Sequence, residues 1–372
     1  MNSCRACQDP RLARVLDLGR VPAADHFPCA DAPVGADEAR HALAMDLCLR
    51  CGLAQLADDD TVPDEPRGVE PQALRDQAEA AVGLAQESGW LRGRTVIEFG
   101  SPHGGTWLPL LAQRGFTALS GPSRGAADVV LDSFGIMHEP DQQAAFLERA
   151  ASMAADGVLL LQYQSITAIL GQRQWNALRH GHFAYYSLTA LTPLLASVGL
   201  HVHTAWDFDL YGGTQLIAAS RGSRRPDATV RRTLAAESAL GVTEPSAFSP
   251  LQASADEQVT TLRTWLQEES RSGRTVLAYG AASRAVSLFS RAGLDSTLLA
   301  AVADAAPAKQ GRRMPGTDIP IISPAELVAR APDHVYLTVP DMLAEVDAQH
   351  PQLTGRWHSD IGDLRITAGG QP

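Results

Sequence analysis

Four of the chain's five cysteines fall into two C-x-x-C pairs, Cys4 with Cys7 and Cys48 with Cys51, separated by forty residues. Two residues between thiols put both sulfurs on the inner side of one tight turn. Two such turns complete the tetrahedral sulfur cage that zinc prefers. A redox-active or buried dithiol has the same spacing, but two pairs flanking a strand-like segment fit the metal better. All four corners of the tetrahedron would be filled by protein, which makes the metal structural. His26 and His41 lie between the pairs and are expected at the surface or at caps. Cys29 is left over as a small buried apolar residue without a role.

So small a head leaves most of the 372 residues unexplained, and that length argues for two or three domains. With 45% hydrophobic and 20% charged residues the chain has ample material for a core. Acidic residues outnumber basic ones, 42 to 31, and a net charge of -11 repels polyanions, which excludes nucleic acid as a default partner. The longest apolar run, 157–161, is far too short to cross a bilayer, and the N-terminus has no basic-then-apolar signal pattern. A cytoplasmic protein without a membrane partner is expected.

Residues 58–71 are acidic and carry three prolines, as a linker would. A helix follows, with Leu74, Ala78, Val82 and Ala85 on one stripe. Residues 95–100 then form a buried-strand pattern that runs into glycines, with a helix predicted over 106–115. Strands at 127–132 and 157–162 alternate with a helix at 141–155, which predicts a parallel, doubly wound sheet. After a helix at 187–199, the stretches 201–206 and 214–219 are expected as closing edge strands. Past a polar boundary at 221–226 come helices near 228–240 and 256–272. A second strand-glycine-helix unit follows at 274–291, with short strands at 298–303, 319–322 and 335–339. The expected class is α/β. It comprises a zinc-binding module over 1–60, a Rossmann-like domain over 61–222 and a smaller α/β domain over 223–372.

Glu98-Phe-Gly100-Ser-Pro-His-Gly104 is an E-x-G-x-x-x-G turn at the end of a first strand, where glycines let backbone approach a ligand and the next helix offers free N–H groups. Taken with other segments it becomes specific. Cys4-Arg-Ala-Cys7, Leu16-Asp-Leu-Gly-Arg-Val-Pro22 and Cys48-Leu-Arg-Cys51-Gly-Leu-Ala-Gln55 resemble the zinc-binding head of the sugar C-methyltransferases. Those enzymes use S-adenosylmethionine to methylate a carbon of nucleotide-linked deoxysugars in antibiotic pathways. Asp128-Val-Val130, His138, Asp141 and Gly157 resemble the family's fourth strand and following helix. His180-Gly-His182-Phe-Ala-Tyr-Tyr-Ser187 resembles its active-site segment, and Tyr211-Gly-Gly-Thr214 its double-glycine turn. Tyr279-Gly-Ala-Ala-Ser-Arg284 and Lys309-Gln-Gly-Arg-Arg-Met-Pro-Gly316 are similar to the signature of its C-terminal domain.

The resemblance implies a class I methyltransferase domain and zinc on Cys4, Cys7, Cys48 and Cys51. It also implies S-adenosylmethionine at Glu98, Gly100, Gly104 and Asp132, with a keto-sugar nucleotide or similar small molecule as acceptor. His182 is then the general base, its imidazole suited to proton abstraction near neutrality, with Tyr185 and Tyr186 beside it. Arg284 and Lys309, with Arg312 and Arg313, would grip an anionic substrate. His138 is expected to be structural.

Several departures fall on functional positions. Pro102 and His103 stand where polar or acidic residues are usual, and Gly181 takes the place of the acid in the family's Glu-His-x-x-Tyr. The stretch 117–122 has no carboxylate for the ribose hydroxyls, and only five residues separate Pro122 from Asp128. A helix and a strand are therefore missing, and the adenosine side should be open or rebuilt. Two other functions stay in play: an enzyme independent of S-adenosylmethionine, such as an isomerase, cyclase, lyase or hydrolase, and a non-catalytic binding protein.

Overall fold

The computed structural model describes residues 3–35, 38–61, 69–102, 104–120, 125–222 and 225–358. His103, most of the acidic linker at 62–68 and the end of the 117–122 stretch lie outside the described residues. Three sheets organise the chain.

The first sheet is antiparallel, in the order Leu12–Pro22, Arg40–Cys48, Ala54–Leu56 and Ala184–Tyr185. Along its first strand Leu16 and Leu18 are buried while Asp17 and Gly19 are exposed, the period of two that a one-sided sheet demands. Its last strand comes from far down the chain, so the active-site segment is stitched to the cysteine-bearing head. The buried face packs on the C-terminal helices Ser249–Arg271 and Ser283–Arg291 through Leu16, Met45, Trp175, Leu251, Trp265 and Phe289.

The central sheet runs Thr117–Ala118, Thr95–Gly100, Ala127–Ser133, Met153–Gln164, Thr214–Ser220 and His201–Phe208. The first four strands are parallel, Thr214–Ser220 runs against them, and His201–Phe208, antiparallel to Thr214–Ser220, runs with them again. Val129, Val130, Leu159, Leu160 and Leu161 are wholly buried because helices cover both faces. Gln72–Glu87 and Leu108–Ala112 lie on one side, with Gln142–Ser152 and Leu188–Ser197 on the other. Thr214–Ser220 is interior rather than an edge strand, leaving His201–Phe208 alone at that margin. At the opposite margin, only eight residues separate Ala118 from Ala127, and 121–124 lie outside the described residues.

The C-terminal sheet is wholly parallel, in the order Ile321–Ile322, Val302–Ala303, Val276–Tyr279, His334–Leu337 and Trp357–His358. Among the described residues no helix is long and apolar enough to cross a membrane.

Candidate functional site: a cavity between two glycine turns

Open α/β sheets bind ligands outside the carboxyl ends of the strands, where the strand order reverses. This chain has two such places, and they face one cavity of about 590 Å³. From the central sheet come Glu98, Gly100, Ser101, Gly104 and Gly105. From the C-terminal sheet come Gly280, Ser283, Arg284, Asp304 and Lys309. Gly280 has φ +95°, and a Cβ there would lie 2.6 Å from Thr338 Oγ1, so only glycine turns the chain so closely against its neighbouring strand.

At the central turn, a Cβ added to Gly100 or Gly104 would meet nothing within 4 Å. The backbone there is open to an incoming ligand. Glu98 lines the cavity, but its carboxylate is occupied: it accepts from Trp107 N–H at 2.7 Å and from the Thr106 hydroxyl, fastening the start of the next helix. Burial pushes its pKa up, against the pull of those two donors. Asp132 is fully buried and outside the cavity lining. It accepts from Gly135 N–H at 2.8 Å, Ile136 N–H at 2.9 Å and Arg149 Nε at 3.0 Å. Burial pushes its pKa up and the Arg149 charge opposes this. Asp132 thus shapes the loop after its strand, and the expectation that it touches cofactor is corrected.

Two imidazoles line the same cavity. His182 is 4% exposed, and its ring centroid lies 4.4 Å from that of His138, at 69°. Arg179 Nη2 donates to His182 Nδ1 at 3.4 Å, and Arg179 Nη1 donates to Ser283 Oγ at 2.8 Å across to the C-terminal domain. Gly181, between the two histidines' loops, accepts from His138 Nδ1 at 2.9 Å through its carbonyl and donates from its N–H to Asp59 at 2.7 Å. Ala54–Leu56 pairs with Ala184–Tyr185, and Leu56 N–H donates to Phe183 O at 3.2 Å. His182 is thereby held by the head. His138, expected to be structural, lines the same cavity.

Tyr185 and Tyr186 do not reach the cavity. Both are 1% exposed. The Tyr185 hydroxyl accepts from Arg179 N–H at 3.0 Å and donates to Ala177 O at 3.2 Å, while Tyr186 bonds the Gln142 side chain. Burial raises the pKa of each. Adjacent residues on a strand point to opposite faces, and here both faces are core.

Cationic side chains line the cavity as well. Arg284 lies over the Tyr211 ring, 5.5 Å from its centroid, and among the described residues it makes no hydrogen bond or ion pair. Burial lowers its pKa, and the neighbouring Arg179 lowers it further. Lys309 is 5% exposed, donates to Ala281 O at 3.0 Å and sits 4.7 Å from the Phe27 ring centroid. Arg312 and Arg313 are different. Arg312 bonds Phe27 O and Ala308 O, and Arg313 pairs with Glu38 at 2.8 Å. They clamp the head to the C-terminal domain rather than face a ligand. Tyr211 and Phe134, both at the cavity, hold φ of 53° and 60° and meet edge to face at 5.9 Å. Non-glycine residues in this region are strained and concentrate at ligand sites.

In the head, the sulfurs of Cys4, Cys7, Cys48 and Cys51 all lie within 4.8 Å of one another. Zinc–sulfur bonds of about 2.3 Å require this spacing. Hydrogen bonding to Cys51 pulls Cys4 down to about 5, whereas burial pushes Cys7 up to about 11. A divalent cation ends that competition by taking all four as thiolates. His41 pairs with Asp60 at 2.6 Å, outside the cage, and Cys29 is exposed rather than buried.

Comparison with known proteins agrees with this architecture. The family described as "Putative zinc binding domain" matches residues 4–65, and the C-methyltransferase C-terminal domain family matches 209–359. The C-methyltransferase NovU of Streptomyces niveus is 26% identical over 98% of this chain and 97% of its own. The chain is a relative of the C-methyltransferases. Its cysteine cage is accordingly a zinc site. Solved structures resemble only part of this C-methyltransferase relative. Magnesium protoporphyrin IX methyltransferase of Synechocystis PCC 6803 is 14% identical, covers 42% of this chain and 90% of its own, and has a TM-score of 0.32. The 1,6-didemethyltoxoflavin-N1-methyltransferase of Burkholderia thailandensis is 15% identical, covers 46% and 96%, and has a TM-score of 0.30. Such slight likeness decides nothing about ligands. Arg179 and Phe134 carried no local signal in the sequence, since neither sits in a motif of its own.

Proposed function

We propose that the cavity transfers a methyl group from S-adenosylmethionine to a carbon beside a carbonyl, on a keto-sugar linked to a nucleoside diphosphate. One observation carries the reading: an open glycine turn, two imidazoles and three cationic side chains share a single cavity. Gly100 and Gly104 suit the methionine end of the donor, which supplies an electrophilic methyl when bound. For its ribose hydroxyls, Thr117 to Ser120 offer no acid. Glu70 is the remaining carboxylate of the lining beside this turn that is not spent on the next helix.

Arg179, Arg284 and Lys309 favour a diphosphate as the acceptor's handle. Arg179 and Arg284 stand beside each other; burial and the neighbouring Arg179 charge disfavour the charged form of Arg284, and an anion between them relieves it. The helix Ser283–Arg291 adds its N-terminus, where Ala282 has no side chain to cap the first N–H groups. With the acceptor fixed there, its carbonyl end reaches the imidazoles. A proton leaves the carbon next to the carbonyl, and the developing enolate is steadied by hydrogen bonding in a site shielded from water. The cage of Cys4, Cys7, Cys48 and Cys51 is remote from this chemistry and holds the head in shape.

Calorimetric titration with S-adenosylmethionine and S-adenosylhomocysteine tests the donor. Binding of both at micromolar concentration is expected. The short span between Ala118 and Ala127 favours one other reading, enol chemistry without a methyl donor, and no heat at millimolar ligand would remove methyl transfer and leave that reading or a non-catalytic binding protein.

A further inference from the structure

We infer that Gln164 selects the acceptor molecule: its side-chain oxygen is a fixed, unspent hydrogen-bond acceptor in the cavity wall, set to receive a ring hydroxyl of the sugar. This rests on the sugar-nucleotide reading above and adds which protein atom reads the sugar.

Which end of a glutamine amide is oxygen follows from partners that cannot change their role. Three glutamines form a chain here, with a peptide carbonyl at each end of it. Gln172 Nε2 donates to Gly212 O, so Gln172 Oε1 is left to accept, from Gln174 Nε2 at 2.8 Å. Gln174 Oε1 accepts in turn from Gln164 Nε2 at 2.9 Å, and the same Nε2 donates to Tyr211 O at 3.1 Å. A peptide carbonyl only accepts, so neither terminal amide can be turned over, and the middle one follows. Close packing holds the chain in place: a Cβ on Gly212, at φ +75°, would lie 1.7 Å from Gln174 Nε2 and 2.5 Å from Gln172 Oε1.

Both N–H groups of Gln164 are thereby spent. Its Oε1 is not. Gln164 is 7% exposed and lines the cavity, nothing among the described residues donates to Oε1, and that oxygen is not sealed off. A largely buried carbonyl oxygen without a donor is costly, so a ligand that brings an O–H to it relieves that cost as well as forming the bond. Tyr211 offers its carbonyl to Gln164 and its ring to Arg284, which puts Gln164 next to the anion grip. Gln164 also ends the strand Met153–Gln164, neighbour of Ala127–Ser133 in the sheet that carries the open glycine turn, so the reacting sugar rather than the nucleoside lies against it. The charges of Arg284 and Arg179 are both felt at Tyr211, and they disfavour an ammonium there. A keto oxygen would set lone pairs against lone pairs. The group that fits is a neutral hydroxyl, and the keto carbon lies elsewhere on the ring.

Calorimetry on the full-length, zinc-loaded protein tests this, with thymidine diphosphate, thymidine-diphosphate-linked glucose and the 2-deoxy, 3-deoxy and 4-deoxy forms of that sugar nucleotide as ligands. One deoxy ligand should bind the wild type about 10–100-fold more weakly than the parent. Gln164→Met should lose the same factor on the parent, lose nothing further on that deoxy ligand, and hold thymidine diphosphate alone as the wild type does. Gln172→Met, which breaks the far end of the chain and leaves Gln164 held by Tyr211 O, should keep the discrimination. Equal losses by Gln164→Met on every ligand, thymidine diphosphate included, would make Gln164 a brace for the turn and overturn the inference. Deoxy ligands that all bind the wild type as the parent does overturn it too, and leave the sugar-nucleotide reading standing. No binding of the parent or of thymidine diphosphate by the wild type at millimolar concentration overturns that reading, and the role of Gln164 with it.

Discussion

The two strand-glycine-helix units that face the cavity are built alike and equipped unlike. The central one ends, among the described residues, at its two-residue edge strand Thr117–Ala118, spends its acid Glu98 on the following helix, and leaves Gly100 and Gly104 open. The C-terminal one keeps a five-stranded parallel sheet, an uncapped helix start and Arg284, which lies over Tyr211 with no hydrogen bond or ion pair among the described residues. On the reading proposed above, the donor's adenosine faces the shorter margin of the central sheet and the acceptor's phosphates face the C-terminal turn. A chain of this design can lose grip on a donor well before it loses grip on an acceptor.

The sharpest way to break that contrast is to remove the metal. Cys48→Ser should strip zinc, destabilise the head by several kcal/mol and abolish turnover, since the head holds the His182 loop. Metal analysis, thermal melting and an activity assay report the three effects. S-adenosylhomocysteine binding should survive, and its loss would mean that the two turns do not behave separately. Next in size is Arg149→Met, which leaves the Asp132 charge buried without its partner at 3.0 Å and should cost about 3–5 kcal/mol in urea denaturation. Arg284→Met sharpens the contrast from the other side. It should weaken binding of a nucleoside diphosphate by about 10–100-fold, the loss of one charge-assisted contact, while leaving the S-adenosylhomocysteine titration unchanged. An equal fall in both titrations would contradict the assignment of Arg284 to the acceptor end.

The smallest effect concerns Glu98. Its pKa is raised in the folded protein, so the folded state binds this proton more readily than the unfolded chain does. Ionisation therefore works against folding above the raised value, and stability from this group increases as pH falls through it towards the ordinary glutamate range. Glu98→Gln should flatten that arm of the stability profile in denaturant melts from pH 7 to pH 4. An unchanged profile would show that Glu98 is better solvated than its place beside Trp107 implies.

What could be read in advance was what local spacing records. Cys4-x-x-Cys7 and Cys48-x-x-Cys51 announce a cage because each pair is a single turn, and the two glycine turns stand out because a strand pattern breaks into a helical one at each. Pairings between distant segments leave no such trace. Ala184–Tyr185 is two residues long, and nothing in its own pattern says that it joins Ala54–Leu56. His138 and Arg179 are separated by forty residues and meet only through the loop fastened at Gly181, so His138 read as structural. Tyr185 and Tyr186 misled for a related reason: adjacent aromatics look alike in a wall of a cavity and in a core. Arg312 and Arg313 looked like Lys309's companions until Glu38 and the carbonyls of the head claimed them.

The borrowed strand has a practical meaning for anyone building hybrids of such proteins. A swap that cuts after residue 61 would carry off three strands of a four-stranded sheet and leave the fourth, with the histidine loop, matched to a stranger. Grafting residues 3–61 together with 179–187 keeps that seam whole, and heads and loops are expected to have diverged as one inherited piece.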